Sequence, residues 1–301
     1  MDTMQHRRLP PWIRQPPPTA SSLSVIRRRT YDKGLSTVCR EARCPNQGEC
    51  FRKGTATFLI LGDRCTRNCR FCAVSHGPPV PLDREEPGQV AESVARLGLK
   101  HAVVTSVTRD DLPDGGASMF AATIGAIRSA SPGTSVEVLV PDFQGSRAAL
   151  MEVVGAGPEV INHNLETVPR LYESLRSGAS YDRSVELLRR VRQFDSKIVT
   201  KSGIMVGVGE TQQEVLALVR DLVDAGCRVL TIGQYLRPTK QHHPVDRYVT
   251  PEEFEELREL ALGEGIEKVA SGPLVRSSYR AGDILNELGV RVSGSDHAEG
   301  G

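Results

Sequence analysis

The sequence predicts an α/β fold, a partial barrel of the (β/α)6 type with extensions at both ends, and three observations carry that expectation. From residue 55 onward short β-rich runs alternate with amphipathic helical stretches, the pattern of parallel strands joined by crossover helices. Polar clusters recur just after those runs: Thr108-Arg109-Asp110-Asp111, Asp142, Asn164 with Glu166, and Gly207 to Glu210. Barrel folds gather their chemistry where strands end and loops begin. A chain of 301 residues, 39% hydrophobic, is also long enough for one barrel-sized core.

Four segments follow from this. Residues 1–36 are rich in proline and arginine, including Pro16-Pro17-Pro18 and Arg27-Arg28-Arg29, and lack strand or helix periodicity. They read as an extended arm, either solvated or laid on the body. Residues 37–54 form a cysteine-rich extension, residues 55–270 the partial barrel, and residues 271–301 a C-terminal extension. Within the barrel the strands expected are Thr57–Leu61, His101–Val107, Val136–Val140, Val160–His163, Ile198–Val206, Arg228–Ile232 and Lys268–Ala270. Helices are expected between them, among them Gln89–Leu97, Ser118–Ser129, Ser184–Phe194, Gln213–Asp224 and Pro251–Leu262.

With 38 basic and 37 acidic residues the net charge is +1, so no global field draws the chain to nucleic acid or to a membrane surface. No apolar run reaches membrane-spanning length, and the N-terminus, with Arg7, Arg8, Pro10 and Pro11, lacks the apolar core of a secretory signal. A cytoplasmic location is expected. In a reducing cytosol closely spaced cysteines are metal ligands or redox groups more often than disulfides.

Six of the seven cysteines form two triplets, Cys39, Cys44 and Cys50 in a C-x4-C-x5-C pattern and Cys65, Cys69 and Cys72 in C-x3-C-x2-C. Three thiolates on a four-cornered metal centre leave one corner unfilled. The second triplet follows directly on the first strand, in a loop at the reactive edge. A structural zinc site there would need a fourth ligand, and His76 is the nearest candidate. A [4Fe–4S] cube on the same thiolates would keep one iron open to a small molecule.

C-x3-C-x2-C with an aromatic, Phe71, before the last cysteine resembles the radical S-adenosylmethionine superfamily. The resemblance implies that the open iron chelates S-adenosylmethionine, whose reductive cleavage gives a 5′-deoxyadenosyl radical. It further implies that Gly203-Ile204-Met205-Val206-Gly207-Val208-Gly209-Glu210 lies near the adenine, with Gly207 and Glu210 as contacts, and that Asn164 and Glu166 make polar contacts to the cofactor. Read from residues alone, the glycine run is a strand-to-helix turn and Asn164 a helix cap.

The first triplet lies before the barrel, where Pro45, Asn46 and Gly48 permit tight turning. The seventh cysteine, Cys227, sits between a helix and an apolar strand and reads as a small buried hydrophobe. The two triplets together with Arg276-Ser277-Ser278-Tyr279 resemble the lipoyl synthase family, and the likeness runs from about Thr37 to Tyr279. Gly54-Thr55-Ala56-Thr57-Phe58, Thr105-Ser106-Val107, Val140-Pro141-Asp142-Phe143, Asn162-His163-Asn164-Leu165-Glu166 and Gly233-Gln234-Tyr235-Leu236 also fit, and Ser106 joins the expected cofactor contacts.

What the resemblance implies is a sulfurtransferase with two [4Fe–4S] clusters, the auxiliary one held by Cys39, Cys44, Cys50 and the catalytic Ser278. It would insert two sulfurs at C6 and C8 of an octanoyl chain carried on a lysine. The implied partners are octanoylated carriers such as the glycine cleavage H protein or a 2-oxoacid dehydrogenase E2, an electron donor such as ferredoxin or flavodoxin, and an iron–sulfur carrier for cluster repair. An enzyme resembling biotin synthase and a non-catalytic zinc or iron–sulfur scaffold are the alternatives. His242-His243-Pro244 reads as a polar surface loop beside the carrier. Asp110-Asp111-Leu112-Pro113-Asp114 reads as a turn, since Leu112 and Pro113 interrupt any calcium pattern.

Overall fold

The structure, a computed structural model, describes residues 9–14, 46 and 55–290. Seven parallel strands lie in strict sequence order, β1(Thr55–Ile60), β2(His101–Ser106), β3(Ser135–Leu139), β4(Val160–Asn162), β5(Val199–Val206), β6(Val229–Gln234) and β7(Lys268–Gly272). Each expected strand is present. Among the described residues no ladder joins β1 to β7, so the barrel is a partial one, open on that side. Among the described residues there are eight α-helices, α1(Glu86–Leu97), α2(Ala117–Ala130), α3(Arg147–Gly155), α4(Pro169–Leu175), α5(Tyr181–Phe194), α6(Gln212–Asp224), α7(Pro251–Gly263) and α8(Ala281–Glu287).

Local chemistry explains most boundaries. Thr211 and Thr250 each open a helix with a full capping box, completed by Glu214 and Glu253, which satisfies two otherwise orphaned donors at each start. Ser180 and Ser146 cap α5 and α3 with their hydroxyls. Gly98, at φ 58°, ends α1 in the left-handed region that glycine enters at no steric cost. Three helices were not given ranges from the sequence: α3 and α4, which fall in intervals where helices were expected, and α8, which follows the last strand. The latter two have seven residues each, too short for a 3.6-residue period to declare itself, and α3, at nine, is only slightly longer.

The outer faces of the strands meet the helices in one continuous apolar core, with Phe58, Ile60, Val104, Phe120, Ile124, Val138, Leu218 and Ile232 all buried. The inner face is different, and its two-residue period builds three levels. Val160, Val199 and Val229, the first residues of β4, β5 and β6, form the lowest level, against which Leu285, Ile284 and Leu288 of α8 and its end pack. That helix closes the floor. Above it Glu137 accepts from Lys201 Nζ at 2.9 and 3.1 Å and from Asn162 Nδ2 at 3.2 Å, with His101 Nε2 3.5 Å away. Higher still, Asn164, Gly203, Met205, Thr231 and Gly233 face a cavity.

Chain segments outside the barrel touch it at two described points. Trp12 Nε1 donates to the Val249 carbonyl at 3.2 Å and Ile13 is buried, so this part of the arm lies on the body. Asn46, buried, donates from Nδ2 to the Leu274 carbonyl at 2.6 Å. Cys39, Cys44 and Cys50 lie outside the described residues.

Two buried groups illustrate how stability depends on acid. Burial, aided by the charge of Arg176, pushes His163 down to about 3. Its neutral ring donates from Nδ1 to the Val140 carbonyl at 2.8 Å. Burial alone would raise Glu137, yet Lys201 and His101 overcome it and hold the carboxyl down at about 2. In both cases the unfolded chain binds more protons once the pH drops below the unfolded value, about 6.5 for histidine and about 4.3 for glutamate. Stability is therefore full above about pH 6.5 and falls on acidification, first through His163 and then through Glu137. Urea unfolding at pH 7 and pH 5 should differ by roughly 2 kcal/mol from His163 alone, and a His163→Gln chain should lose more than half of that difference.

Candidate active site

The loop that carries Cys65, Cys69 and Cys72 follows β1 and folds back on itself, Cys65 N donating to Ser75 O at 2.8 Å and Gly77 N to Cys65 O at 3.1 Å. Two backbone N–H groups point at the Cys65 sulfur, from Thr108 at 3.3 Å and from Arg67 at 3.4 Å. All three cysteines are half-buried and free of disulfides. Burial pushes the thiols of Cys69 and Cys72 up, to about 12 and about 11, with the neighbouring sulfurs adding to the effect. A thiolate in such a place needs a metal to exist.

Among the described residues no three Cys, His, Asp or Glu side chains gather closely enough to hold a single ion. A cube would take each thiolate on a different iron, whereas a zinc site would need a fourth ligand such as His76. His76 meets Cys65 only as a backbone bridge, and it is exposed.

Beside this loop lies a cavity of about 820 Å³, lined by Phe71, Cys72, Asn164, Glu166, Met205 and Tyr235 together with Val275, Arg276 and Ser277. Its size suits a nucleoside-scale ligand. Glu166 reaches the wall through an unusual backbone, φ 67° in the left-handed region, where a side chain costs free energy. Two bonds to β5 hold it there, Glu166 N to Gly203 O at 2.9 Å and Met205 N to Glu166 O at 2.8 Å. Asn164 Nδ2 donates to Glu166 Oε1 at 3.0 Å, and burial raises the Glu166 carboxyl above its ordinary value. Asn164 Oδ1 is buried with no partner in the chain. An acceptor left so, beside a carboxylate in a cavity, is a place made for a ligand donor.

The other expected contacts sit differently. Ser106 ends β2 off the cavity wall, and its hydroxyl is buried without a partner. Glu210 accepts from Gly207 N at 2.7 Å and Val208 N at 2.9 Å, closing the turn after β5 rather than lining the cavity. Gly207, at φ 90°, has no room for a side chain, since a Cβ would fall 2.3 Å from Gln234 Nε2. Ser278 is half-buried in the turn between Ser277, on the wall, and α8.

Two contributors were not among the site residues expected from the sequence. Arg176, which caps the end of α4, is a half-buried cation whose charge lowers Cys69 and Glu166 against their burial and whose Nη1 donates to Tyr172 Oη at 2.5 Å and Ser184 Oγ at 3.2 Å. No motif marks it; the fold alone brings it there. His242 lines the cavity, donates from Nε2 to the Cys72 carbonyl at 2.9 Å, and has Thr239 Oγ1 at 2.8 Å from its Nδ1. His243 N donates to the Arg70 carbonyl at 2.9 Å. The histidine pair thus straps the loop after β6 onto the cysteine loop instead of merely facing solvent. Cys227 is buried, its thiol 3.3 Å from the Val229 carbonyl and pushed up to about 12 by burial, as a small core residue. Asp110, Asp111 and Asp114 go to Arg67, Arg109 and the start of α2 respectively, which makes their segment a turn.

Residues 59–222 match the model of the radical SAM superfamily. The lipoyl synthase of Caldanaerobacter subterraneus is 60% identical over 82% of this chain and 87% of its own length. That of Desulfotalea psychrophila is 54% identical over 92% and 93%. The chain belongs to the lipoyl synthase family. Among solved structures, Streptococcus suis SuiB bound to S-adenosylmethionine superposes with a TM-score of 0.56 at 10% identity over 77% of this chain and 54% of that one. HydG, a maturase of the [FeFe]-hydrogenase, superposes with a TM-score of 0.54 at 15% identity over 89% and 71%. These likenesses show the fold.

Membership implies S-adenosylmethionine and a [4Fe–4S] cluster for a lipoyl synthase, and the site fits both. Cys65, Cys69 and Cys72 offer thiolates on one loop, Asn164 and Glu166 offer an acceptor and a carboxylate on the adjoining cavity, and Arg176 adds a positive charge near Cys69 and Glu166. Membership also implies a lipoyl-carrier substrate protein. No helix among the described residues is long and apolar enough to cross a membrane.

Gly203 provides a test of the wall. A Cβ there would fall 2.7 Å from Thr231 Oγ1 and 2.8 Å from Asn164 Oδ1, displacing the acceptor. Gly203→Ala should weaken S-adenosylmethionine binding about tenfold, the worth of one good hydrogen bond, in equilibrium dialysis of the iron-loaded protein, with the iron content unchanged.

Proposed function

We propose that this chain is a lipoyl synthase that inserts sulfur at C6 and C8 of an octanoyl chain held as an amide on a carrier-protein lysine. The observation that carries the reading is that one cavity is lined both by Cys72, Asn164 and Glu166 and by Arg276 and Ser277 of the Arg276-Ser277-Ser278-Tyr279 segment. Unactivated C–H bonds are too weakly acidic for acid–base catalysis, so the chemistry must be supplied by bound groups. When bound, S-adenosylmethionine and two [4Fe–4S] clusters supply an electron, a hydrogen-abstracting radical and sulfide.

The chain's own residues then divide the work. Cys65, Cys69 and Cys72 hold the first cluster and leave one position open. Asn164 and Glu166 would orient the cofactor's polar groups, and Arg176 keeps a positive charge beside Cys69 and Glu166. Met205, Tyr235 and Phe71 present apolar surface that excludes water from a reactive centre. Cys39, Cys44, Cys50 and Ser278 hold the auxiliary cluster. Support for this last set comes from Asn46, which lies between Cys44 and Cys50 and bonds to Leu274, in the same segment as Ser278. A serine oxygen is a harder ligand than a thiolate, which suits a cluster consumed as the sulfur source.

The carriers we propose are octanoylated proteins of the H-protein and E2 types, with a ferredoxin- or flavodoxin-like electron donor, an iron–sulfur carrier for repair, and a cytoplasmic setting. Anaerobically reconstituted protein should contain about eight irons for two four-iron cubes. Given an octanoylated carrier domain, S-adenosylmethionine and a strong reductant, mass spectrometry should show two sulfurs added to the carrier. Cofactor cleavage without sulfur addition would reject the reading. Ser278→Ala should still cleave S-adenosylmethionine while failing to transfer sulfur, and Cys65→Ala should lose cleavage altogether.

A further inference from the structure

Arg67 occupies the middle of the cysteine loop, two residues from both Cys65 and Cys69, and it does not face the cavity. Its guanidinium is instead clamped between two carboxylates from different strand ends. Nε and Nη2 donate to Asp110 at 2.6 and 2.9 Å, and Nη1 and Nη2 donate to Asp142 at 3.1 and 2.7 Å. Asp142 is fully buried and takes a further bond from Arg183 Nη1 at 3.1 Å. Four charge-assisted bonds from one planar group to two carboxylates are beyond the reach of a lysine's single ammonium.

The clamp ends a short zipper. Thr66 N and Thr66 Oγ1 both donate to Thr108 O at 3.0 Å, and Asp110 N donates to Thr66 Oγ1 at 3.1 Å. Cys65-Thr66-Arg67 is thereby laid along Thr108-Arg109-Asp110. At the start of the zipper, Thr108 N and Arg67 N bracket the Cys65 sulfur. Both of those donors belong to segments whose separation the clamp controls.

We propose that Arg67 is a positioning residue that tunes the reduction potential of the cluster on Cys65, Cys69 and Cys72, by holding the Thr108 and Arg67 backbone N–H groups on the Cys65 sulfur. The proposal rests on those three cysteines carrying a [4Fe–4S] cluster. Donors aimed at a cluster's sulfurs spread its negative charge and raise its potential, and outer-shell partners of this kind govern what their ligands can do. With the clamp cut, the loop swings from the β2 end, the two N–H···S bonds lengthen, and the reduced cluster becomes harder to form.

Charge and geometry make opposite predictions at one position, which permits a decisive test. Asp110→Ala removes a negative charge near the cluster and by charge alone would raise the potential. By loosening the clamp it would lower it. Asp110 is partly exposed, at 29%, so the variant should fold. The experiment measures the cluster's midpoint potential by EPR-monitored titration in the iron-loaded full chain, for the parent, Arg67→Lys, Arg67→Gln and Asp110→Ala. The expected result is a negative shift in all three, sufficient in Arg67→Gln to lower the reduced population about tenfold at fixed poise, about 59 mV for one electron. Arg67→Lys should fall between it and the parent. A positive shift in Asp110→Ala, or potentials equal to the parent's in the loaded variants, would overturn the proposal. So would failure of all three variants to take up iron, which would make the clamp a folding element only. A parent chain that binds no iron at this triplet would instead remove the cluster assignment itself.

Discussion

Glu137 is the point on which the inside of this barrel turns. Its carboxylate receives Lys201 from β5 and Asn162 from β4, with His101 of β2 close by, so one side chain joins four consecutive strands across the concave face. Isolated in the interior, either charge would be prohibitively costly, and together their desolvation is offset only because every partner is in place. The layer so formed separates two kinds of space. Below it the valines and α8 make an ordinary dry floor; above it the wall is polar and glycine-lined, and a ligand can enter.

Much of this architecture was legible in the residues because it depends on local regularity. The seven β-rich runs and the longer amphipathic helices between them are near-neighbour effects, and each appears where the pattern places it. Short helices such as α4 and α8 were not legible. They exist through tertiary contacts, Leu285 on three strand ends being the clearest case, and no period of two turns can announce that.

The site divides along the same line. Phe71, Asn164 and Glu166 were legible because loops following parallel strands must converge at one edge, and they do converge on the cavity with Cys72. Ser106 and Glu210 stand at comparable positions in the sequence, yet one points off the wall and the other is occupied in closing its own turn. Strand-end placement narrows the choice of residue without deciding direction, which alternates along a strand. The roles of Arg176 and His242 at the site were hidden for another reason. Each acts through a partner far away in the chain, Cys69 in one case and the Cys72 carbonyl in the other, and neither carries a local signature.

The left-handed backbone of Glu166 has a meaning beyond geometry. A residue with a side chain is held in that conformation at a cost of about 1–3 kcal/mol, and here the neighbouring strand supplies the restraint. Glycine would sit there unstrained, and a chain improved for thermal resistance alone would drift toward it while losing the carboxylate at the cavity. Robustness and competence are therefore opposed at this one position, so a search for hardier variants should leave it untouched.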